Sequence, residues 1–174
     1  VITADVDVDA ANITVENINF RANFADITAA IDVNSTDFTL RKCRFTAVAA
    51  NMNSVIWIQD AAAAGSDRIT VEDCVCIDRD AANTRFINFA GTGDGHIVRR
   101  NRLNGDWGTA CIGGAGVVTN ALIEENYIQN AATDVDSCIN FAASASGICV
   151  GNIAFGGAAQ ANGITAAGMT KANN

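Results

Sequence analysis

The chain has 174 residues, 49% of them apolar, which is enough material for one domain with a hydrophobic core. Its net charge of -8 argues against nucleic acid or an anionic membrane as partner, because both attract clustered Lys and Arg. No apolar run approaches the ~20 residues that cross a bilayer, and no signal-peptide pattern is present.

A short pattern of apolar and polar residues recurs six times along the chain. It reads ITVENINF from Ile13, FTLRKCRF from Phe38, ITVEDCVC from Ile69, HIVRRNRL from His96, ALIEENYI from Ala121 and ICVGNIAF from Ile148. Within each segment the apolar residues alternate with polar ones, which predicts β-strands. The alternation changes parity between Val15 and Ile18, which predicts a bend at this point of every repeat.

A second set of short strands follows the first at a nearly constant distance. Each contains an isoleucine 16 or 18 residues after the start of its repeat: Ile31, Ile56, Ile87, Ile112, Ile139 and Ile164. Short strands with one apolar side bury that side only if successive repeats stack, with parallel strands about 4.8 Å apart. We therefore predict an all-β fold, a right-handed parallel β-helix (solenoid) of about six to seven coils, with the isoleucines in one inner column.

The repeats extend over the whole chain, so we predict a single β-helix domain over 1–174. VDVDAANI at Val6 matches IDVNSTDF at Ile31, which places the first residues inside a coil. We therefore expect an N-terminal cap or an upstream segment to be missing. The longest repeat contains an insertion of about six residues around Ala61 to Ser66, either a spacer or a recognition loop.

Aligning the repeats places charges of opposite sign in columns. The position three residues after each start reads Glu16, Arg41, Glu72, Arg99, Glu124 and Gly151. The next position reads Asn17, Lys42, Asp73, Arg100, Glu125 and Asn152. Opposite charges on neighbouring strands contribute roughly 0.2–1 kcal/mol per pair, and like charges repel. We predict that these columns fix the register of the coils as well as stabilise it.

Two further columns complete the predicted interior. One contains Phe20, Phe45, Cys76, Leu103, Ile128 and Phe155, and the other contains Ile18, Cys43, Cys74, Asn101, Asn126 and Ile153. We predict that Asn101 and Asn126 form a two-step ladder of side-chain amides at the bend. Most of the six cysteines replace apolar residues in such columns, so we interpret them as small core hydrophobes and not as disulfides or zinc ligands.

Few residues remain for chemistry or recognition. A glycosidase or polysaccharide lyase needs carboxylates ~5–10 Å apart or a Ca²⁺-binding cluster, whereas the conspicuous acids here belong to the charge columns. The candidates for contact with a glycan or a partner are Trp57, Asp78, Asp80, Asp106 and Trp107, with Trp57 assigned to contact between identical subunits. The tryptophans are predicted to be outward or loop aromatics, and the acids to be solvated turn residues.

The single histidine, His96, falls in an otherwise apolar column. We interpret it as a satisfied, partly buried imidazole, with a catalytic base as the alternative. The GTGDG segment at 91–95 lacks the Lys-Ser/Thr of a phosphate loop. We expect no catalytic residue, no metal and no cofactor, and favour a protein without enzymatic activity.

Five of the segments carry a resemblance to a known family: ITVENINF, FTLRKCRF, ITVEDCVCIDRDAANTRFINFAG, HIVRRNRLNGDW and ALIEENYIQN. Over nearly the whole chain they resemble right-handed parallel β-helix proteins encoded among the structural genes of tailed bacteriophages. The resemblance implies a non-enzymatic virion protein of the capsid-decoration or surface-spike type, which assembles in the host cytoplasm and lies on the virion surface. The implied partners are the major capsid protein or sibling spike subunits, with a trimer as the implied oligomer.

The alternative is a tailspike-like β-helix that binds or degrades a polysaccharide. The chain is shorter than the enzymatic tailspikes and lacks their clear acid cluster, and it also lacks the set of Asp residues that binds Ca²⁺ in pectate lyases. A stand-alone adhesin or ice-binding solenoid is a weaker interpretation, because no outward Thr-x-Thr array repeats through all six segments.

Overall fold

A computed structural model describes residues 5–22, 27–47, 56–60, 66–78, 83–132, 138–156 and 163–174. Within these ranges the chain forms a β-solenoid with three long parallel sheets and no helix. The third sheet has six strands, so five turns separate its first strand from its last. The predicted all-β solenoid is confirmed, with about five turns instead of six to seven.

The strands of each sheet come from successive coils. The first sheet consists of β1 (Val6–Val8), β4 (Ala29–Val33), β7 (Ile56–Asp60), β10 (Arg85–Phe89), β14 (Ile112–Gly114), β18 (Ile139–Phe141) and β21 (Ile164–Ala166). The second consists of β2 (Thr14–Glu16), β5 (Thr39–Arg41), β8 (Thr70–Glu72), β12 (Ile97–Arg99), β16 (Ala121–Glu124), β19 (Gly147–Val150) and β22 (Thr170–Ala172). The third consists of β3 (Asn19–Ala22), β6 (Arg44–Ala47), β9 (Val75–Ile77), β13 (Arg102–Gly105), β17 (Tyr127–Asn130) and β20 (Ile153–Phe155). A short pair, β11 (Gly93–Asp94) and β15 (Val118–Thr119), forms a fourth sheet.

Left-handed backbone positions bend the chain at both ends of the second-sheet strands. Before the strand these positions are Asn12, Asp37, Arg68, Gly95 and Asn120, with φ between 52° and 68°. After it they are Asn17, Lys42, Asp73, Arg100, Glu125, Gly151 and Asn173, with φ between 51° and 63°. This conformation costs a non-glycine residue roughly 1–2 kcal/mol, so its recurrence in charged residues indicates that stacking imposes it. The second set of positions is the bend predicted from the change of parity.

The inner column of the first sheet contains Ile31, Ile58, Ile87, Ile112, Ile139 and Ile164. The prediction of Ile56 for this column is wrong. Ile58 is the residue that pairs with Ile31 and Ile87, whereas Ile56 pairs with Ala29 and Arg85 and is only half-buried. The two isoleucines lie two residues apart, and the alternation of a strand places both on one side, so the sequence pattern could not choose between them.

The last repeat is displaced by one residue from the predicted alignment. Gly147 pairs with Ala121, so Val150, and not Gly151, lies beside Glu124. In the third sheet Ala154 replaces Phe155 in the inner column, and Ile153 and Phe155 face outward with about half of their surface exposed. The displacement therefore leaves two large apolar side chains on the outside of the last coil.

Candidate functional site

The first charge column lies on the outer side of the second sheet, with the order of charges predicted. Glu16, Arg41, Glu72, Arg99 and Glu124 are successive neighbours in the register. Ion pairs join Arg41 to Glu16 at 2.8 Å, Arg99 to Glu72 at 2.7 Å and Arg99 to Glu124 at 3.8 Å. Such partly exposed pairs contribute at most about 1 kcal/mol each, so their main effect is on register.

The second charge column occupies the left-handed corner beside the first. Arg100 donates two hydrogen bonds to Asp73, at 2.8 and 3.1 Å, and a third to Glu72 at 3.1 Å. Lys42 contacts Glu16 at 3.0 Å. Hydrogen bonds from Lys42 and Arg41 lower the pKa of the Glu16 carboxyl. Among the ion pairs of the described residues none includes Glu125, so Arg100 is paired only with acids of the preceding coil.

An amide ladder follows the bend between the second and third sheets. It contains four asparagines, two more than predicted: Asn101, Asn126, Asn152 and Asn174. The Oδ1 of each accepts a hydrogen bond from the backbone N–H of the equivalent residue one coil earlier, over distances of 2.9 to 3.1 Å. The Nδ2 of each donates to a backbone carbonyl at 2.9 Å. The ladder therefore satisfies the polar groups of a corner that is buried at Asn101, Asn126 and Asn152 and ends at the exposed Asn174.

Two cysteines continue this ladder toward the N-terminus. The thiols of Cys43 and Cys74 each lie 3.3 Å from the carbonyl oxygen two residues earlier, on Arg41 and Glu72. Burial raises the pKa of Cys74 to about 12. All six cysteines are buried free thiols. At these two positions the cysteine is a hydrogen-bonding turn residue as well as a small hydrophobe, which the sequence pattern did not indicate.

Three of the five predicted contact residues are buried, namely Trp57, Asp78 and Trp107. The indole nitrogen of Trp57 donates to Asp78 Oδ2 at 2.8 Å, and the Asn83 amide donates to the same oxygen at 2.5 Å. The prediction that Trp57 faces outward is wrong, because Trp57 and Ile58 are consecutive residues of β7 that are both buried. Gln59, and not Trp57, is the neighbour of Asp32 on the outer side.

The prediction that Trp107 is an exposed loop aromatic is also wrong. Asn130 fixes its backbone, since Asn130 Oδ1 accepts from the Trp107 N–H at 2.9 Å and Asn130 Nδ2 donates to the Trp107 carbonyl at 3.1 Å. The indole packs against Gly105, where a side chain would overlap it. Asp106 is half-buried, and Asp80 lies outside the described residues.

Two further titratable side chains, His96 and Asp60, are buried in the interior. His96 accepts a hydrogen bond from the Ile69 N–H at 3.2 Å, its ring stacks on Phe89 at 4.6 Å, and burial lowers its pKa to about 4. His96 is therefore more deeply buried than predicted. Asp60 accepts hydrogen bonds from the N–H groups of Ala90 and Gly91, and burial raises its pKa to about 6. Sequence reasoning missed Asp60, although it shares the parity of the inward Ile58.

No family model matches the chain, and neither a curated protein nor a solved structure matches it. In the described ranges no three His, Cys, Asp or Glu side chains are grouped so that they could hold a metal ion. In the same ranges there is no helix with the length and apolar character needed to cross a membrane.

The most distinctive surfaces are the outer sides of the third and first sheets. The third-sheet face consists of Asn19, Arg21, Arg44, Thr46, Val75, Ile77, Arg102, Asn104, Tyr127, Gln129, Ile153 and Phe155. The first-sheet face consists of Asp7, Asp32, Gln59, Asn88, Gly113, Asn140 and Thr165. The third-sheet face has three basic and no acidic residues, whereas the first-sheet face has acidic and no basic residues. The candidate functional site is therefore a pair of surfaces of opposite charge.

Proposed function

We propose that the chain is a non-enzymatic structural protein of a bacteriophage virion, of the capsid-decoration or surface-spike type, which binds the capsid or sibling subunits. The observation that carries the proposal is the unbroken stacking of the coils. Three ladders of parallel strands, a column of alternating charges and a buried amide ladder run along one axis. Each coil contacts mainly its neighbours, as in other solenoids, so the chain is a stiff rod.

The origin in a virion rests on the sequence resemblance to β-helix proteins of tailed bacteriophages. Three of the five residues that would serve the polysaccharide-binding alternative, Trp57, Asp78 and Trp107, have structural contacts instead. Trp57 and Asp78 bond each other in the interior, and the Trp107 backbone is held by Asn130. Solenoids bind partners through their outer sides, and the two charged faces supply such surfaces.

Mass spectrometry of purified particles tests this proposal. The chain is expected in particles from a culture that produces it, in a fixed ratio to the major capsid protein that persists through density-gradient purification. Its absence from intact particles would refute the proposal.

An assay for reducing sugars released from host polysaccharide tests the non-enzymatic part. No release is expected from the purified chain. Turnover that is lost in the Asp106→Asn variant, but kept in a variant of an exposed asparagine such as Asn104→Ala, would establish the enzymatic alternative.

A further inference from the structure

We infer that the third-sheet face of one copy binds the first-sheet face of a second copy, with the two solenoid axes parallel. The inference rests on the proposed function, because it assigns the contact between sibling subunits to two named surfaces.

The third-sheet face is basic on a chain whose net charge is -8. Arg21, Arg44 and Arg102 are exposed, and none of them belongs to an ion pair within the described ranges. The arginines Arg41, Arg99 and Arg100, near the second sheet, are instead paired with acids of the same chain. Arg102 also lies over the Tyr127 ring, 5.6 Å from its centroid. A row of cations without carboxylate partners attracts a surface of opposite charge.

The first-sheet face supplies that opposite charge. Asp7 and Asp32 are direct neighbours in the parallel register, although like charges at such positions repel. The pKa of the Asp32 carboxyl is raised, first by partial burial and then by the negative charges of Asp7, Asp5 and Asp9. No cation contributes to this shift. The four carboxyl groups are therefore a concentration of negative charge that the chain itself leaves without a basic partner in its described part.

The two charged regions lie at the same level along the solenoid. Strand β3, which contains Arg21, lies between β1 and β4 in the chain, and these two strands contain Asp7 and Asp32. Arg44 lies one coil further, about 4.8 Å along the axis. Two copies side by side with parallel axes bring Arg21 and Arg44 opposite the acids, whereas antiparallel axes would place the arginines against uncharged residues.

At the other end of the solenoid, the side chains of the two faces are complementary in size. There the third-sheet face carries large exposed side chains, Tyr127 at 39%, Ile153 at 53% and Phe155 at 51% of their full exposure. At the same level the first-sheet face carries the small uncharged Asn140 and Thr165. The same parallel arrangement therefore covers the exposed apolar side chains.

The contact joins two different surfaces, so each copy has one face of each kind to offer. Contacts of this type repeat around a ring or along a filament and do not end at a dimer. The mass of the assembly in solution therefore distinguishes this interface from a two-fold dimer.

Three variants test the interface, since all four substituted residues are exposed. Arg21→Glu/Arg44→Glu makes the third-sheet face acidic, and Asp5→Lys/Asp7→Lys makes the charged end of the first-sheet face more basic. The chain with all four substitutions keeps the net charge of the original and again places opposite charges at the substituted positions of the two faces. Circular dichroism establishes that each variant is folded, and light scattering coupled to size exclusion gives its mass.

The original chain is expected to form a ring or filament that dissociates as NaCl rises from ~0.02 M to ~0.5 M. Each double variant is expected to associate about 10- to 100-fold more weakly, and the fourfold variant and a mixture of the two double variants to recover association. A folded chain that stays monomeric at low salt, a two-fold dimer, or a fourfold variant that fails to recover would each overturn the inference. Particle mass spectrometry is independent of this outcome, so a monomer found in virions refutes the interface alone.

Discussion

Replacing Asn126 by alanine tests the amide ladder. The Asn126 side chain makes four buried hydrogen bonds: it accepts from the N–H and the Nδ2 of Asn101, and it donates to the Val98 carbonyl and to Asn152 Oδ1. Asn101 Nδ2 keeps its bond to Val71 and Asn152 Oδ1 keeps its bond from the residue 126 N–H. The Asn101 N–H loses the partner it has in the original chain.

Each lost bond costs about 0.5–1.5 kcal/mol, and a buried unpaired N–H costs a further 1–3 kcal/mol, so Asn126→Ala should lower the free energy of unfolding by at least about 3 kcal/mol. For a chain of this size the melting temperature should fall by roughly 10 °C. Denaturant and thermal unfolding followed by circular dichroism measure both quantities.

Asn104→Ala is the matched control, because the Asn104 amide makes one exposed bond, to Gln129 at 3.1 Å. This variant should lose no more than about 0.5 kcal/mol. Equal losses in the two variants, or a loss below about 1 kcal/mol for Asn126→Ala, would refute the reasoning about the ladder.

The remaining predictions concern charge, pH and the thiols. Arg99→Glu places a third acid between Glu72 and Glu124, so it should destabilise by about 1–2 kcal/mol at low salt and by less near 1 M NaCl, as chemical denaturation at the two salt concentrations would measure. The raised pKa of Asp60 favours folding at low pH, and this stabilisation is lost as pH rises from 3.8 to about 6. Asp60→Asn should therefore be more stable than the original chain at pH 7, by up to about 3 kcal/mol. At pH 4 the two chains should be nearly equal in stability, as unfolding titrations at the two pH values would measure. The lowered pKa of His96 acts in the opposite sense, because its stabilisation is present above pH 6.5 and is lost as pH falls toward 4. In the original chain protonation of Asp60 offsets part of this loss. Asp60→Asn lacks that offset, so its stability should fall more steeply between pH 6.5 and 4 than that of the original chain. All six cysteines should react with a thiol reagent at pH 8 only after unfolding.

Each of these three outcomes has a contrary result. A salt-independent effect of Arg99→Glu would mean that packing and not charge explains its cost. Equal pH profiles for Asp60→Asn and the original chain would contradict the assigned burial of that carboxyl. Rapid reaction of any thiol in the folded protein, before the loss of circular dichroism, would contradict the burial of that cysteine.

The fold was predictable because stacking repeats one simple pattern many times. The charge column from Glu16 to Glu124 was predictable because each charged residue lies three residues after the start of its repeat, and the strands pair in that same register. Errors arose where the local length changes. The sequence pattern predicted Ile56 where the structure has Ile58, because the longest repeat has extra residues on both sides of β7. It predicted Phe155 where the structure has Ala154, because the last repeat starts one residue earlier than the alignment assumed.

Candidate sites were harder to predict than the fold. Burial does not alternate strictly within β7, where the consecutive residues Trp57 and Ile58 are both buried. Composition also suggested that polar and aromatic residues in loops are exposed, whereas Asp78 and Trp107 are buried. The Asp78 carboxylate accepts from the Trp57 indole, and the Trp107 backbone N–H donates to Asn130. The two charged faces became visible only after the register had assigned each side chain to the inner or outer side of its sheet.

The alternating charge column also limits how the length of such a rod can change. Deleting the coil that carries Arg99 would bring Glu72 next to Glu124, and deleting the coil that carries Glu72 would bring two arginines together. Deleting both coils leaves Arg41 beside Glu124, a pair of opposite charges. Gene duplications or losses that preserve the attraction between neighbouring coils must therefore occur in steps of two.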